Sequence, residues 1–391
     1  MNTSINLRDD RGRTFLWHAV YRFDRDNTIF ILRCGGDPSL ADNDGVTPFE
    51  IALHEGDDVA ARLLLTFISI NSASKVLPHG PKLDHLLLRH TGCFQKADLL
   101  KILLDLGANV NIRNRNKGTP LIEESRVGHQ EGIKVLLSRD DVDLQAKDRD
   151  GSTALHVAAR NNQLQAVDLL LQDRRIDINA LDSSGNTAFW WSSFLRHDEV
   201  SKRFLDKQGL DVSFRGSKYG QRWRTTAFYL AVHRNNLPLV SHMLAGTYRP
   251  RLDPNILGDH RWSPLGAAAY EGSYRMVKLL LLAKGIRINA VDEGEDDPLW
   301  LAIQTRSRSV VELFLNERTR LDINCQNNKS GDTYLLAAAR DGDLRLVELI
   351  LGFGGVDLNA RNQRGESALE VSCHHKHHHV FQRLTGWGAV Y

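Results

Sequence analysis

The side chains best equipped for chemistry in this sequence stand in four places. Residues 374–379 read HHKHHH, directly after Cys373. On a helix, histidines four apart put two imidazoles one turn from each other, a spacing that can hold Zn or Ni. A metal centre also needs converging ligands and a fixed set of supporting hydrogen bonds, and Cys373 does not converge by adjacency alone. The competing reading is a pH-sensitive surface that takes metal adventitiously. On this balance neither a metal site nor a cofactor is expected. Glu124, in TPLIEESRVG, falls where the same register elsewhere holds Ala or Ser. A carboxylate packed there is costly unless paired and has a raised pKa, which would make it a candidate acid. The alternative is a one-residue slip in register, because the turn glycine expected two residues before Thr119 is displaced to Gly118.

The third place is SFRGSKYGQRWRT, residues 213–225, an enlarged turn that is basic and aromatic and includes Arg222, Trp223 and Arg224. Trp, Tyr and Arg dominate interface hot spots. The same residues could hold a phosphate or a base, or Trp223 could fold back over its own loop. The fourth is a recurring aromatic position, with Trp17, Trp190, Tyr229 and Trp300 where one copy has His156. Trp191 and Phe194 extend it, and Trp262 and Tyr270 follow further along the chain. These rings either fill space between packed units or line a concave patch around residues 190–270.

Composition narrows the function classes. Lys and Arg number 50 against 48 Asp and Glu, which argues against a general polyanion binder. No apolar run approaches the roughly 18 residues of a membrane span, and the N-terminus has no secretory apolar region. Cys34, Cys93, Cys325 and Cys373 are far apart and form no CxxC, so they read as reduced, small buried hydrophobes. Phosphate-binding, nucleophile-elbow, zinc-protease and dinucleotide motifs are absent from the sequence.

The elements that must position these residues come from a repeat. DRDGSTALHVAARNNQLQAVDLLLQDRRIDINALD, residues 148–182, finds echoes at intervals of about 33–36 residues, in about eleven copies. Each copy carries a turn glycine (Gly12, Gly45, Gly151, Gly185, Gly331, Gly365) where positive φ is useful. Two residues later stands Thr or Ser, a helix N-cap, followed by Pro or Ala at the first helical position. A short helix with small residues on its packed face follows (Ala52, Ala158, Ala268, Ala338), then a second helix with an apolar stripe. Neither helix can bury its face alone; stacked neighbours bury one another's.

The stretches GSTALHVAARNN and GVTPFEIALHEG, followed by a leucine-rich helix and a D-h-N tail (h apolar), resemble the ankyrin-repeat family over essentially the full chain. The resemblance implies an all-α solenoid of helix–turn–helix units with projecting turn fingers. The units are expected at 9–41, 42–80, 81–113, 114–147, 148–181, 182–217, 218–257, 258–291, 292–325, 326–361 and 362–391. Residues 1–8 read as the tail of a partial repeat, so the array is either a piece of a longer protein or capped by an atypical first unit. The resemblance also implies a protein–protein interaction scaffold or adaptor, without chemistry of its own, in cytoplasm or nucleus. Its expected partner is another protein rather than nucleic acid or membrane, and the chain is expected to be monomeric. The partner-binding residues expected from register are Arg160, Trp191, Phe194, Arg222, Trp223, Arg224, His233, Arg234, Trp262 and Tyr270. An alternative from another class is an enzyme with a Trp-walled pocket in the central units, using an acid such as Glu124 or His233.

Overall fold

The computed structural model describes residues 3–70, 81–92, 97–216, 225–245, 252–258, 261–292, 296–317 and 321–390. Arg222, Trp223, Arg224 and Cys93 lie outside the described residues. The chain divides into two bodies, Met1–Ser183 and Ser184–Tyr391. In each, α-helices alternate in pairs, and the described residues hold one strand pairing, a two-residue antiparallel ribbon of Arg215–Gly216 with Thr225–Thr226. That ribbon brackets the enlarged basic turn. In the first body the helices Pro120–Val127 and Ala154–Arg160 pack side by side, as do Gln130–Leu137 and Leu164–Gln172 behind them. In the second body Ala188–Phe194, Ala227–His233, Pro264–Tyr270, Pro298–Gln304, Tyr334–Asp341 and Ala368–His374 form a continuous row of first helices.

Local chemistry explains why each pair forms. In most units the cap hydroxyl accepts the third backbone N–H of its helix: Thr14 from Trp17 at 3.2 Å, Thr47 from Glu50 at 3.1 Å, Thr187 from Trp190 at 3.1 Å; Thr119 stands at its cap without that bond. Asp297 does the same for Trp300 at 2.8 Å, a cap the sequence pattern did not single out. Five residues before the cap, an Asp or Asn carboxyl or amide oxygen ties the turn. Asp148 accepts from Asp150 and Ser152, both at 2.9 Å, and Asn114 accepts from Asn116 and Gly118, both at 2.9 Å. Successive turns are then stitched by backbone, Arg149 N–H to the Asn116 carbonyl at 2.9 Å and Gln363 N–H to Ser330 at 3.0 Å. The small residues let first helices approach closely: Ala52, Ala158, Ala302 and Ala338 are fully buried. The second helix Asp58–Ile70 runs to 13 residues.

Two sequence readings are corrected here. Cys34 and Cys373 are exposed rather than buried, because each sits at or just beyond the water-facing end of its helix. The displaced glycine before Thr119 does not shift the register. Lys117 itself takes the left-handed conformation, φ 60°, and Thr119 still stands as the N-cap of Pro120–Val127.

Candidate functional site

Counting from the cap residue makes the candidate surface visible. In several units the residue just before the cap and the seventh after it come together on one face. In the second body Trp262 and Tyr270 rings sit 4.6 Å apart, and Gln304 Nε2 donates to Asp296 at 3.2 Å. Arg340 grips Asp332 with two N–H groups, and His374 Nδ1 lies 3.1 Å from Glu366. In the first body the corresponding pair is Arg13 and Tyr21, which flank Trp17. The guanidinium of Arg13 lies 4.2 Å over the Trp17 ring, and Tyr21 stacks on that ring at 5.2 Å. The framework beneath is constant while these pairs change from ring–ring to ion pair to amide–carboxylate. Sequence reading singled out both Trp262 and Tyr270 and placed His374 in the histidine run, but missed Arg13, Asp296, Gln304, Asp332 and Glu366, although the register already paired them.

The expected partner-binding residues fall into different settings. Trp191 is only 6% exposed and packs with Trp190 and Leu230, with Phe194 against the cluster. Arg234 spans two units, its guanidinium 4.3 Å over the Phe194 ring and its Nη1 donating to the Phe194 carbonyl at 2.6 Å. Burial lowers the Arg234 pKa, and the charge of Arg196 adds to that. His233 stacks on the buried Tyr229 at 6.0 Å. Arg160 is half-buried at the end of its helix, and Tyr270 is 42% exposed. Trp17, Trp190, Tyr229 and Trp300, the shared aromatic position, are all buried, so these rings fill space between units. Their polar handles differ. Trp190 Nε1 donates to the Thr225 carbonyl at 2.9 Å, whereas the indole N–H groups of Trp17 and Trp300 meet no acceptor among the described residues.

Glu124 occupies the packed position, and the reading of a register slip is overturned. Its carboxylate is sealed in: Oε1 accepts the Gly92 N–H of the preceding unit at 2.9 Å, and Oε2 lies 2.5 Å from His129 Nδ1. Gly132, on the facing second helix, makes the room, since a Cβ there would stand 2.2 Å from Oε2. Burial raises the Glu124 pKa, against the Gly92 and His129 interactions that lower it. A second buried polar cluster lies in the second body. Tyr334 donates its hydroxyl to Asp297, Asn327 donates to Asp296, and Asn362 donates to Asp332 at 3.0 Å. Burial raises both the Asp297 and the Tyr334 pKa. Asp332 is lowered: burial opposes ionisation there, but hydrogen bonds from Arg340 and Asn362 outweigh it.

The histidine run is spread along the last helix pair. His374 bonds Glu366, His377 Nε2 meets the Arg340 carbonyl at 2.9 Å, and His375 stacks on His377 at 6.1 Å. Among the described residues no group of three His, Cys, Asp or Glu comes together to hold a metal ion, and no helix is long and apolar enough to cross a membrane. Concave grooves open along the paired face among the described residues. One, in the first body, has a volume near 650 Å³ and is floored by Trp17 and Tyr21. Another, near 340 Å³ in the second body, lies over Trp300, Asp296, Asp332 and Arg340.

Comparison with known proteins agrees with this geometry. A family model described as ankyrin repeats (3 copies) matches residues 90–182, 125–216 and 299–390, and one described as ankyrin repeat matches 260–293. An ankyrin repeat domain-containing protein of Stachybotrys chartarum is 32% identical over 123 residues, 28% of this chain and 6% of that protein. A probable serine/threonine-protein kinase of Dictyostelium discoideum is 33% identical over 90 residues, 22% of this chain and 10% of the kinase. The human transient receptor potential cation channel subfamily A member 1 is 24% identical over 156 residues, 40% of this chain and 13% of the channel. The chain thus spans a small part of the length of these relatives.

Proposed function

This chain belongs to the ankyrin-repeat family, and from that premise we propose that it is a protein–protein interaction scaffold whose recognition residues are the paired side chains of its concave face. Ankyrin repeats are in general modules that bind other proteins. The observation that carries the reading is the contrast between a constant framework and a changing ladder. Caps, turn ties and inter-turn bonds recur from unit to unit, while the residues beside them alternate between rings, acids and bases. A surface of that kind discriminates among partners by pattern, through aromatic anchors and placed charges, on a rigid support. Half-exposed Tyr21 and Tyr270 are the anchors best placed to act so. The buried Trp191 serves by holding Phe194 and Arg234 in position. Work in cytoplasm or nucleus, as one part of a larger assembly, fits this reading.

Glu124 has a structural part in it. Its carboxylate is closed off between Gly92, His129 and the second helix, so it ties one unit to the next. The test is affinity capture with the wild-type chain, Tyr21→Lys and Tyr270→Lys. Loss of a specific partner in either variant, with the melting transition unchanged, is the expected result. A partner retained by both variants would contradict the reading.

A further inference from the structure

We propose that the groove of the first body seats an extended segment of another protein, one carrying a large apolar side chain beside a lysine or arginine. The inference rests on the scaffold reading and names the partner chemistry for one of its sites. The floor is apolar. Trp17 and Tyr21 lie stacked, interplanar angle 23°, and Ile51 and Leu86 border them. Tyr21 is left 50% exposed, so an entering apolar side chain removes ring surface from water.

The charges around this floor select the sign of what sits beside the apolar anchor. Four lining carboxylates, Asp42, Asp44, Glu50 and Glu55, face two permanent cations, Arg13 and Lys82. Lys82 engages Glu50 at 3.1 Å, Arg13 lies 3.8 Å from Asp42, and His54 engages Glu55 at 2.9 Å. Asp44 stands exposed at the rim. With the histidines neutral the groove has an excess of negative charge, which favours a cationic neighbour and repels an anionic one.

One buried donor points to a peptide backbone. Among the described residues the covered Trp17 indole N–H meets no hydrogen-bond acceptor, while Arg13 Nε faces Asp42 at 3.8 Å. Buried polar groups in folded proteins are almost always paired, and Trp190, at the same register, has the Thr225 carbonyl as its acceptor. An anionic acceptor at Trp17 would meet the surrounding carboxylates, whereas a peptide carbonyl is neutral and does not. Arg13 lies over the ring, so it is the side chain that turns aside when a carbonyl reaches the indole.

The experiment selects the full chain against a displayed library of random linear peptides and then measures the selected peptides by fluorescence anisotropy at low and high salt. The expected peptides pair Leu, Phe or a similar side chain with a neighbouring Lys or Arg and weaken with salt. Asp44→Lys and Tyr21→Ser alter exposed positions and should each weaken binding by about tenfold, or roughly 1.4 kcal/mol, without shifting the melting transition. Trp17→Phe, which keeps a ring and removes the donor, should weaken binding as well. Peptides without a basic residue, or equal affinity for wild type, Asp44→Lys and Tyr21→Ser, would overturn the proposal. A partner captured through Tyr270 but indifferent to Asp44→Lys would overturn this placement while leaving the scaffold reading intact.

Discussion

Replacing Gly132 by alanine puts the inter-unit lock around Glu124 under the most direct strain. The added Cβ would stand 2.2 Å from the Glu124 carboxylate oxygen, 2.8 Å from its carbon and 2.9 Å from His129 Nδ1. Alanine is the better helix former by about 1 kcal/mol. Against that, overpacking costs about 1–3 kcal/mol, and a carboxylate pushed off Gly92 and His129 loses hydrogen bonds of about 1 kcal/mol or more each. The net expectation for Gly132→Ala is a loss of about 2 kcal/mol. Glu124→Ala relieves the buried charge but leaves the Gly92 N–H unpaired and opens a void, again about 2 kcal/mol. Together the two substitutions recreate the pair that the next repeat already uses, Ala158 and Ala166, both fully buried. The double variant should therefore lie within about 1 kcal/mol of wild type, a coupling of about 3 kcal/mol. Urea denaturation gives the stabilities, with hydrogen exchange read at Pro120–Val127 and Gln130–Leu137, because a repeat array need not unfold in one step. A double variant as unstable as the two single losses added together would refute the reasoning.

Further outcomes follow from the same geometry. Glu124 has a folded-state pKa above its unfolded one, so between those values the folded chain binds the extra proton and stability falls as pH rises. Glu124→Gln should remove that slope, gaining on wild type as pH increases through the window; pH-dependent melting measures it. Lys117→Gly should stabilise by about 1 kcal/mol, since the lysine holds φ 60° where glycine has no Cβ penalty, and the urea midpoint should rise. Arg340→Ala leaves Asp332, 1% exposed, without its cation and should cost about 3 kcal/mol. Because the Asp332 pKa is lowered in the fold, its contribution is present above the unfolded value and is lost as pH falls through the folded one. Arg340→Ala should thus be less sensitive than wild type to acid. Tyr334→Phe strands one Asp297 oxygen and should cost about 1–2 kcal/mol, read by hydrogen exchange at Pro298–Gln304.

What was legible in the sequence was what is decided within a few residues. Thr14, Thr47 and Thr187 cap their helices because a hydroxyl three residues ahead of an amide lies within its reach, although Thr119 in the same register makes no such bond. Gly45 and Gly365 take positive φ at the turns that call for it. Glu124 was ambiguous because its fate depends on residues that are remote in register, Gly132 across the helix pair and Gly92 in the preceding unit. Lys117 shows the converse. Its strained backbone follows from the turn being stitched to the next one through the Asn116 carbonyl, so stacking overrides a local preference. The tryptophans were recognised as a shared position, yet only packing separates Trp190, satisfied by Thr225, from Trp17, which meets no acceptor among the described residues. Exposure of Cys34 and Cys373 depends on where helix ends meet solvent, which composition does not report.

The central claim, recognition through the paired concave ladder, is tested most directly by site-specific photo-crosslinking. A photoreactive phenylalanine analogue is placed at Tyr270, on the ladder, or at Tyr274, at the start of the following helix; each native ring is 42% exposed. One partner should cross-link at Tyr270, with Tyr274 silent toward it. Cross-linking of that partner at Tyr274 alone would place recognition on the other helix and contradict the account.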